Sequence, residues 1–237
     1  MSDSNSLAST TWVSEDTVEI RLGPPVADQT LIKVEKFTRW VGSEDPIWLI
    51  DYCYGFGLLS MVIRPELISI NQISDILGGL FAESTCMAHG ESDLSIEIPV
   101  CYDPSLGLDL QSVTDLTDLS VEDLIDAHSS RDYRVLATGF VPGFAYLGET
   151  DQRIHLPRRH EPRTRVPAGS VAIAENQTVV YPRETPGGWH IIGRMPGSIV
   201  SLGEQSIDAK LSIGMSVRFK SISIEEFSQI EETNAPH

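Results

Sequence analysis

Gly139-Phe140-Val141-Pro142-Gly143-Phe144-Ala145-Tyr146-Leu147-Gly148 opens the stretch that decides the fold, and the same texture continues to Pro196. It passes through Pro157-Arg158 and Pro162-Arg163-Thr164-Arg165-Val166-Pro167-Ala168-Gly169-Ser170-Val171. Tyr181-Pro182-Arg183-Glu184-Thr185-Pro186-Gly187-Gly188-Trp189 follows, and then Ile192-Gly193-Arg194. Glycine and proline at this density set irregular backbone, and irregular backbone on a rigid scaffold is where functional sites collect. Between these interruptions lie short β-type runs at 135–140, 170–174, 178–181 and 190–193, with another at 216–220. Many short strands with close-set turn signals predict a barrel or sandwich. A helix over 224–232 closes the pattern.

The chain ahead of this stretch reads differently. Ser120-Val121-Glu122-Asp123 has the form of an N-cap followed by acids in a first helical turn, opening a helix that runs to about His128. Further back, alternation over 17–22 puts Val18, Ile20 and Leu22 on one strand face, and Gly23-Pro24-Pro25 breaks it. Leu31, Val34, Phe37 and Val41 then recur at helical spacing. Apolar runs at 47–52 and 58–63 flank Gly55-Phe56-Gly57 as a hairpin. Pro65 suits the first turn of a following helix, which carries Ile73, Ile76, Leu77, Leu80 and Phe81 inward. Leu94, Ile96 and Ile98 form a last strand, closed by Pro99. The order β-α-β-β-α-β is the split βαβ pattern of a ferredoxin-like domain. The predicted class is therefore α+β. It has a flexible tail over 1–11, a ferredoxin-like α/β domain over 12–98, a β-barrel domain over 99–232 and a second tail over 233–237.

Charge narrows the function. Seventeen Lys and Arg stand against 34 Asp and Glu in 237 residues, a formal net charge of −17. Such a field repels polyanions, which argues against nucleic acid and anionic membrane as partners. No apolar run approaches the roughly 18 residues of a membrane span, and the Ser-rich start has no secretory n-region or h-region. Cys53, Cys86 and Cys101 are too few and too scattered for a disulfide framework or zinc site, so a reducing cytoplasm is predicted. The charge is also uneven. Residues 65–130 hold thirteen acids and no Lys or Arg, whereas 153–194 hold seven arginines (Arg153, Arg158, Arg159, Arg163, Arg165, Arg183, Arg194) against three acids. Guanidinium forks suit carboxylates and phosphates. Either the island meets an anion, or it pairs with the acidic half of the chain.

Several signatures are missing. There is no G-x-x-x-x-G-K-[ST], and Gly55-Phe56-Gly57 lacks the third glycine of a dinucleotide fingerprint. His155 and His160 have no supporting acids for a metal, and Ser170 lacks the G-x-S-x-G elbow of a hydrolase. No metal site is predicted.

The quoted segments do resemble one family: that of the B subunit of bacterial 5-oxoprolinase, subunit 1 of allophanate hydrolase and the inhibitor of sporulation kinase A. G-F-x-P-G-F-x-Y-L-G, P-R-x-x-x-P-R-x-x-V-P-A-G-S-V, Y-P-x-x-[ST]-P-G-G-W and I-G-R occur in family order. Ile98-Pro99-Val100-Cys101-Tyr102-Asp103 and the helix ending at His128 fit as well. The resemblance implies a ferredoxin-like domain followed by a cyclophilin-like β-barrel. It departs where Glu175 and Val179 stand in place of family glycines, which predicts a reshaped turn.

The activity implied is that of one subunit of ATP-dependent 5-oxoprolinase, which opens a cyclic amide to glutamate. Its partners would be a homologous carboxyltransferase-like C subunit and a further A subunit of the same enzyme. ATP enters as co-substrate with magnesium implied, and the chain alone is expected to be inactive. Phosphorylation turns an amide carbonyl into a better electrophile, and cations must then stabilise the phosphoryl oxygens. Arg158, Arg163 and Arg165 are the candidates for that clamp. Phe144, Tyr146, Tyr181 and Trp189 would shape a pocket with Ser170, Gln177 and Pro186, and backbone N–H groups around Gly187-Gly188 could bind an oxyanion. His128 is a candidate acid/base or a structural histidine ending its helix. Two other readings stay open. One is a component of allophanate hydrolase or of a biotin-dependent carboxyltransferase, whose biotin would come from another chain; the other is a histidine-kinase inhibitor.

Overall fold

In the computed structural model, which describes residues 8–25, 27–82, 95–202 and 207–234, the chain divides into two units, residues 1–88 and 89–237. The first carries β1 (Ala8–Trp12), β2 (Thr17–Arg21), α1 (Asp28–Glu44), β3 (Leu49–Gly55), β4 (Leu58–Ile63) and α2 (Ile70–Ala82). Its strands run β1-β2-β4-β3, all antiparallel. Alternation sets Val18 opposite Met61 and Ile20 opposite Leu59, and all four are buried. Phe37 of α1 and Ile73 and Leu77 of α2 are buried too, at the helical spacing read from the sequence.

Two expectations change here. Residues 8–11, assigned to a flexible tail, form most of β1, with Thr10 and Trp12 paired to Ile20 and Val18. An edge strand is held by its ladder hydrogen bonds, so its sequence needs no apolar pattern. Pro65 does not open α2. The helix begins after Ser69, where Ser69 N–H donates to Gln72 Oε1 (2.9 Å) and Gln72 N–H to Ser69 Oγ (3.4 Å). That reciprocal capping box defines the start.

The second unit begins with β5 (Ser95–Cys101), α3 (Leu110–Thr117), α4 (Val121–Ser129), β6 (Asp132–Thr138) and β7 (Ala145–Gly148). It continues with β8 (Arg163–Val166), β9 (Ser170–Ala174), β10 (Gln177–Val180), β11 (Thr185–Gly187) and β12 (His190–Arg194). β13 (Val200–Leu202), β14 (Ile207–Ala209), β15 (Ser216–Ile222) and α5 (Ile224–Asn234) complete it. Seven strands run β6-β15-β5-β12-β9-β10-β7, and β6 pairs with β7 to close the barrel. β5, assigned from the sequence to the first domain, is a barrel strand: it pairs in parallel with β15 along its whole length and meets β12 at Cys101. The apolar residues of 94–98 fit either sheet, so the pattern alone could not choose.

Leu147, Val171, Ile173, Val180, Ile192, Val217 and Phe219 fill the barrel core, with Leu110, Val113, Leu124 and Ala127 from α3 and α4 packed against it. The Ser120 N-cap is in place, its Oγ accepting from Asp123 N–H at 3.0 Å. Ala174 and Gln177 pair across the β9–β10 hairpin, whose turn contains Glu175 at φ 52°. The turn keeps the left-handed position that a glycine would take, and the glutamate bears the strain. Glu175 N–H donates to Leu156 C=O (2.6 Å), and Thr150 N–H to Asn176 C=O (2.9 Å), tying the turn down.

Candidate functional site

Strand parity creates a second apolar layer outside the barrel. Along β7, β9, β10 and β12, Leu147, Ile173, Val180 and Ile192 face the core, while Tyr146, Ala172, Ala174, Val179 and Ile191 face the other way. The outward set forms a cluster with Phe144 and Tyr181, roofed by Val166 and Trp189. Ala172 and Ala174 leave room for rings. Phe144 meets Tyr146 (centroids 5.0 Å) and Tyr181 (5.3 Å) edge-on, and Tyr146 lies 6.1 Å from Trp189. Phe140, 64% exposed, stands edge-on to Phe144 at 5.4 Å and carries the aromatic row to solvent.

A basic strap borders this face. β8 and β11 form a two-stranded ribbon in which Arg163 pairs with Gly187, and just before it Arg159 N–H donates to Gly188 C=O at 2.8 Å. Prolines at 157, 162 and 167 keep the segment out of helix. The exposed Arg158 guanidinium lies 5.7 Å from the Trp189 ring, a cation–π contact at the end of the aromatic row. Burial lifts the Tyr181 phenol to about 12, with the Arg158 charge pulling the other way. Tyr181 is therefore a protonated donor at neutral pH beside a cation. Gly187 is required here, because any Cβ would run into the Tyr181 hydroxyl.

The structure sorts the predicted site residues. Phe144, Tyr146, Arg158, Tyr181, Gly187 and Trp189 converge on the outer face. Pro186 is exposed on β11, Gly188 accepts from the strap, and Gln177 is half-buried at the start of β10. Ser170 is fully buried, and its Oγ has no hydrogen-bond partner among the described residues. Arg165 is a surface residue whose Nε lies 3.2 Å from Glu184. Arg163 is not free for an anion: its Nη1 and Nη2 donate to Asp109 at 2.6 and 2.8 Å.

His128 corrects the acid/base expectation. It is wholly buried, 4.6 Å from the Phe219 ring and stacked on it. Nδ1 lies 2.7 Å from the Tyr102 hydroxyl, and Nε2 lies 2.8 Å from Thr178 Oγ1. Thr178 Oγ1 gives its one proton to Ala172 C=O, so Nε2–H must donate to it and Nδ1 accepts from Tyr102. Burial pushes the imidazole down to about 3. This is a neutral core histidine, away from the aromatic face.

Asp109 escaped the sequence reading. It is 3% exposed and accepts from Arg159, from both Arg163 nitrogens and from Ile191 N–H at 2.8 Å. The signal was present, since one acid of the arginine-free stretch had to meet the island if pairing was the rule, but thirteen acids competed. An open cleft of about 580 Å³, lined by Ile96, Pro99, Met195, Ile199, Lys210 and Ile230 among others, lies elsewhere on the unit. None of the candidate residues lines it, so the site is placed by chemistry and not by depth.

Residues 8–207 match the family model for the carboxyltransferase domain, subdomains C and D. The chain belongs to this family. Among curated members, it is 42% identical over 137 residues to the B subunit of 5-oxoprolinase from Bacillus subtilis, covering 58% of this chain and 57% of that protein. It is 36% identical over 210 residues to the B subunit of 5-oxoprolinase from Escherichia coli O157:H7, covering 87% of this chain and 93% of that one. A solved structure, TTHA0988, superposes with a TM-score of 0.72 at 31% identity, covering 87% of this chain and 40% of that one. The Kluyveromyces lactis urea amidolyase shares the fold at TM-score 0.70 and 15% identity, over 95% of this chain and 15% of its own. In both, the matching segment is part of a longer polypeptide. No helix among the described residues is long and apolar enough to cross a membrane.

Proposed function

We propose that this chain works as the B subunit of an ATP-dependent 5-oxoprolinase, assembled in the cytoplasm with a carboxyltransferase-like C subunit and an A subunit. The curated relatives named for that enzyme support the activity, and no specific feature of the site favours the allophanate, biotin or kinase-inhibitor readings. We take the domains to follow the two units and the barrel to be the cyclophilin-like domain. A ferredoxin-like first domain would need β5 in its sheet, and that strand pairs with β12 and β15.

The observation that carries the site is Arg158 held over Trp189 beside a protonated Tyr181. Opening a cyclic amide with ATP passes through phosphorylated and tetrahedral species whose oxygens carry negative charge. Arg158, exposed at the end of the aromatic row, supplies a cation for such an oxygen. Phe144 and Trp189, both buried, back this spot and exclude water on one side, and the partly exposed Tyr146 presents its ring to a small substrate. Magnesium would arrive with the nucleotide phosphates. Because the chain has no nucleotide motif of its own, reconstitution is the test. ADP and glutamate release is measured for the purified chain alone, for its partners alone and for the mixture. Turnover is expected only in the mixture. Equal turnover without this chain would overturn the reading.

A further inference from the structure

We propose that Asp109 is a positioning residue for Arg158, acting through the strap it holds. Asp109 occupies the N-cap position of α3, yet its carboxylate makes no capping bond to that helix. It turns instead to the strap, where it accepts a bidentate pair from Arg163 and a further bond from Arg159. The Ile191 N–H of β12 holds the same carboxylate from the barrel side. One buried acid thus pins two guanidiniums, four residues apart on the strap, to the barrel wall.

Arg158 sits between Pro157 and the pinned Arg159. With Arg159 drawn to Asp109, its neighbour projects the other way, onto Trp189. The island therefore divides. Arg159 and Arg163 are half-buried and have donors engaged by Asp109, whereas Arg158 is left facing the aromatic row. Removing the carboxylate would leave two half-buried cations four residues apart to repel each other and loosen the strap beside Arg158.

This rests on the reading of Arg158 as the anion-facing cation, and a double-mutant cycle separates the two claims. In the assembled enzyme, kcat/KM for 5-oxoproline is measured for Asp109→Asn, Arg158→Ala and the double variant. Arg158→Ala is expected to lose about ten- to a hundredfold and Asp109→Asn about five- to thirtyfold, with the double variant no worse than Arg158→Ala. Asp109→Glu, which keeps the charge, should recover part of the loss. If the two losses multiply, Asp109 does not act through Arg158 and the inference is overturned. If Arg158→Ala is neutral, the site reading fails first, and the inference with it. Should Asp109→Asn not fold, Arg163→Gln enters the same cycle in its place, since it removes the bidentate bonds and leaves the carboxylate with Arg159.

Discussion

His128 shows what a single buried group does to the pH dependence of the whole chain. Its imidazole is held at about 3 in the folded state against an ordinary value near ~6.5 when unfolded. Above that ordinary value it is neutral in both states and costs nothing. As pH falls below it, the unfolded chain takes up a proton that the folded chain refuses, so stability drops by up to ~1.4 kcal/mol per pH unit. Thermal melts from pH 8 to pH 4 should show this decline, and His128→Gln should flatten it while lowering stability at pH 8. An unchanged slope in the variant would assign the decline to other groups. Glu175 makes the opposite case, a residue that local strain disfavours. A non-glycine residue in the left-handed region costs ~1–2 kcal/mol, and added freedom in the unfolded chain returns part of that to a glycine. Glu175→Gly should therefore raise stability by up to ~1 kcal/mol, read as a higher melting temperature. A lower one would mean that the Glu175 side chain makes a compensating contact.

The ribbon of β8 and β11 converts an arginine-rich sequence into a site, and it was only partly legible beforehand. The prolines at 157, 162 and 167 correctly excluded a helix, and the runs that became β9, β10, β12 and β15 stood out because each carries apolar or alternating β-type residues between turn signals. β8 is Arg163-Thr164-Arg165-Val166 and has no strand pattern at all; its pairing with β11 is a tertiary fact. Asp109 was illegible for a similar reason, since its partners lie 50 and 54 residues away and nothing local distinguishes it from Asp115 or Asp118. Phe144, Tyr146, Tyr181 and Trp189 were legible as a set because the motifs carrying them resembled a family, and parity along the strands explains why they meet. His128 was ambiguous until burial decided it. The ribbon also makes its own prediction. Gly187→Ala places a methyl group against the Tyr181 hydroxyl, so Tyr181 or β11 must shift, at ~1–3 kcal/mol. The variant should melt lower and lose activity in the assembled enzyme, whereas Pro186→Ala on the exposed side of the same strand should do neither. Equal effects would remove the special role given to the Tyr181–Gly187 contact.

Across the whole molecule, a net charge of −17 surrounds a small basic strap whose arginines are mostly neutralised in place: Arg153 by Asp151, Arg159 and Arg163 by Asp109, and Arg165 by Glu184. Arg158 stands outside these pairs, over Trp189, and it is this guanidinium that meets the anionic intermediate in the proposed function. Removing it takes away a charge-assisted contact of about 1.5–3 kcal/mol and leaves the buried ion pairs of the fold untouched. The most direct measurement is kcat/KM for 5-oxoproline in the assembled enzyme carrying Arg158→Ala, taken together with the melting temperature of the same preparation. If Arg158 meets the intermediate, kcat/KM falls ten- to hundredfold, roughly that size, with the melting temperature unchanged. Full activity, or a loss that only tracks a fall in melting temperature, would contradict that role for Arg158.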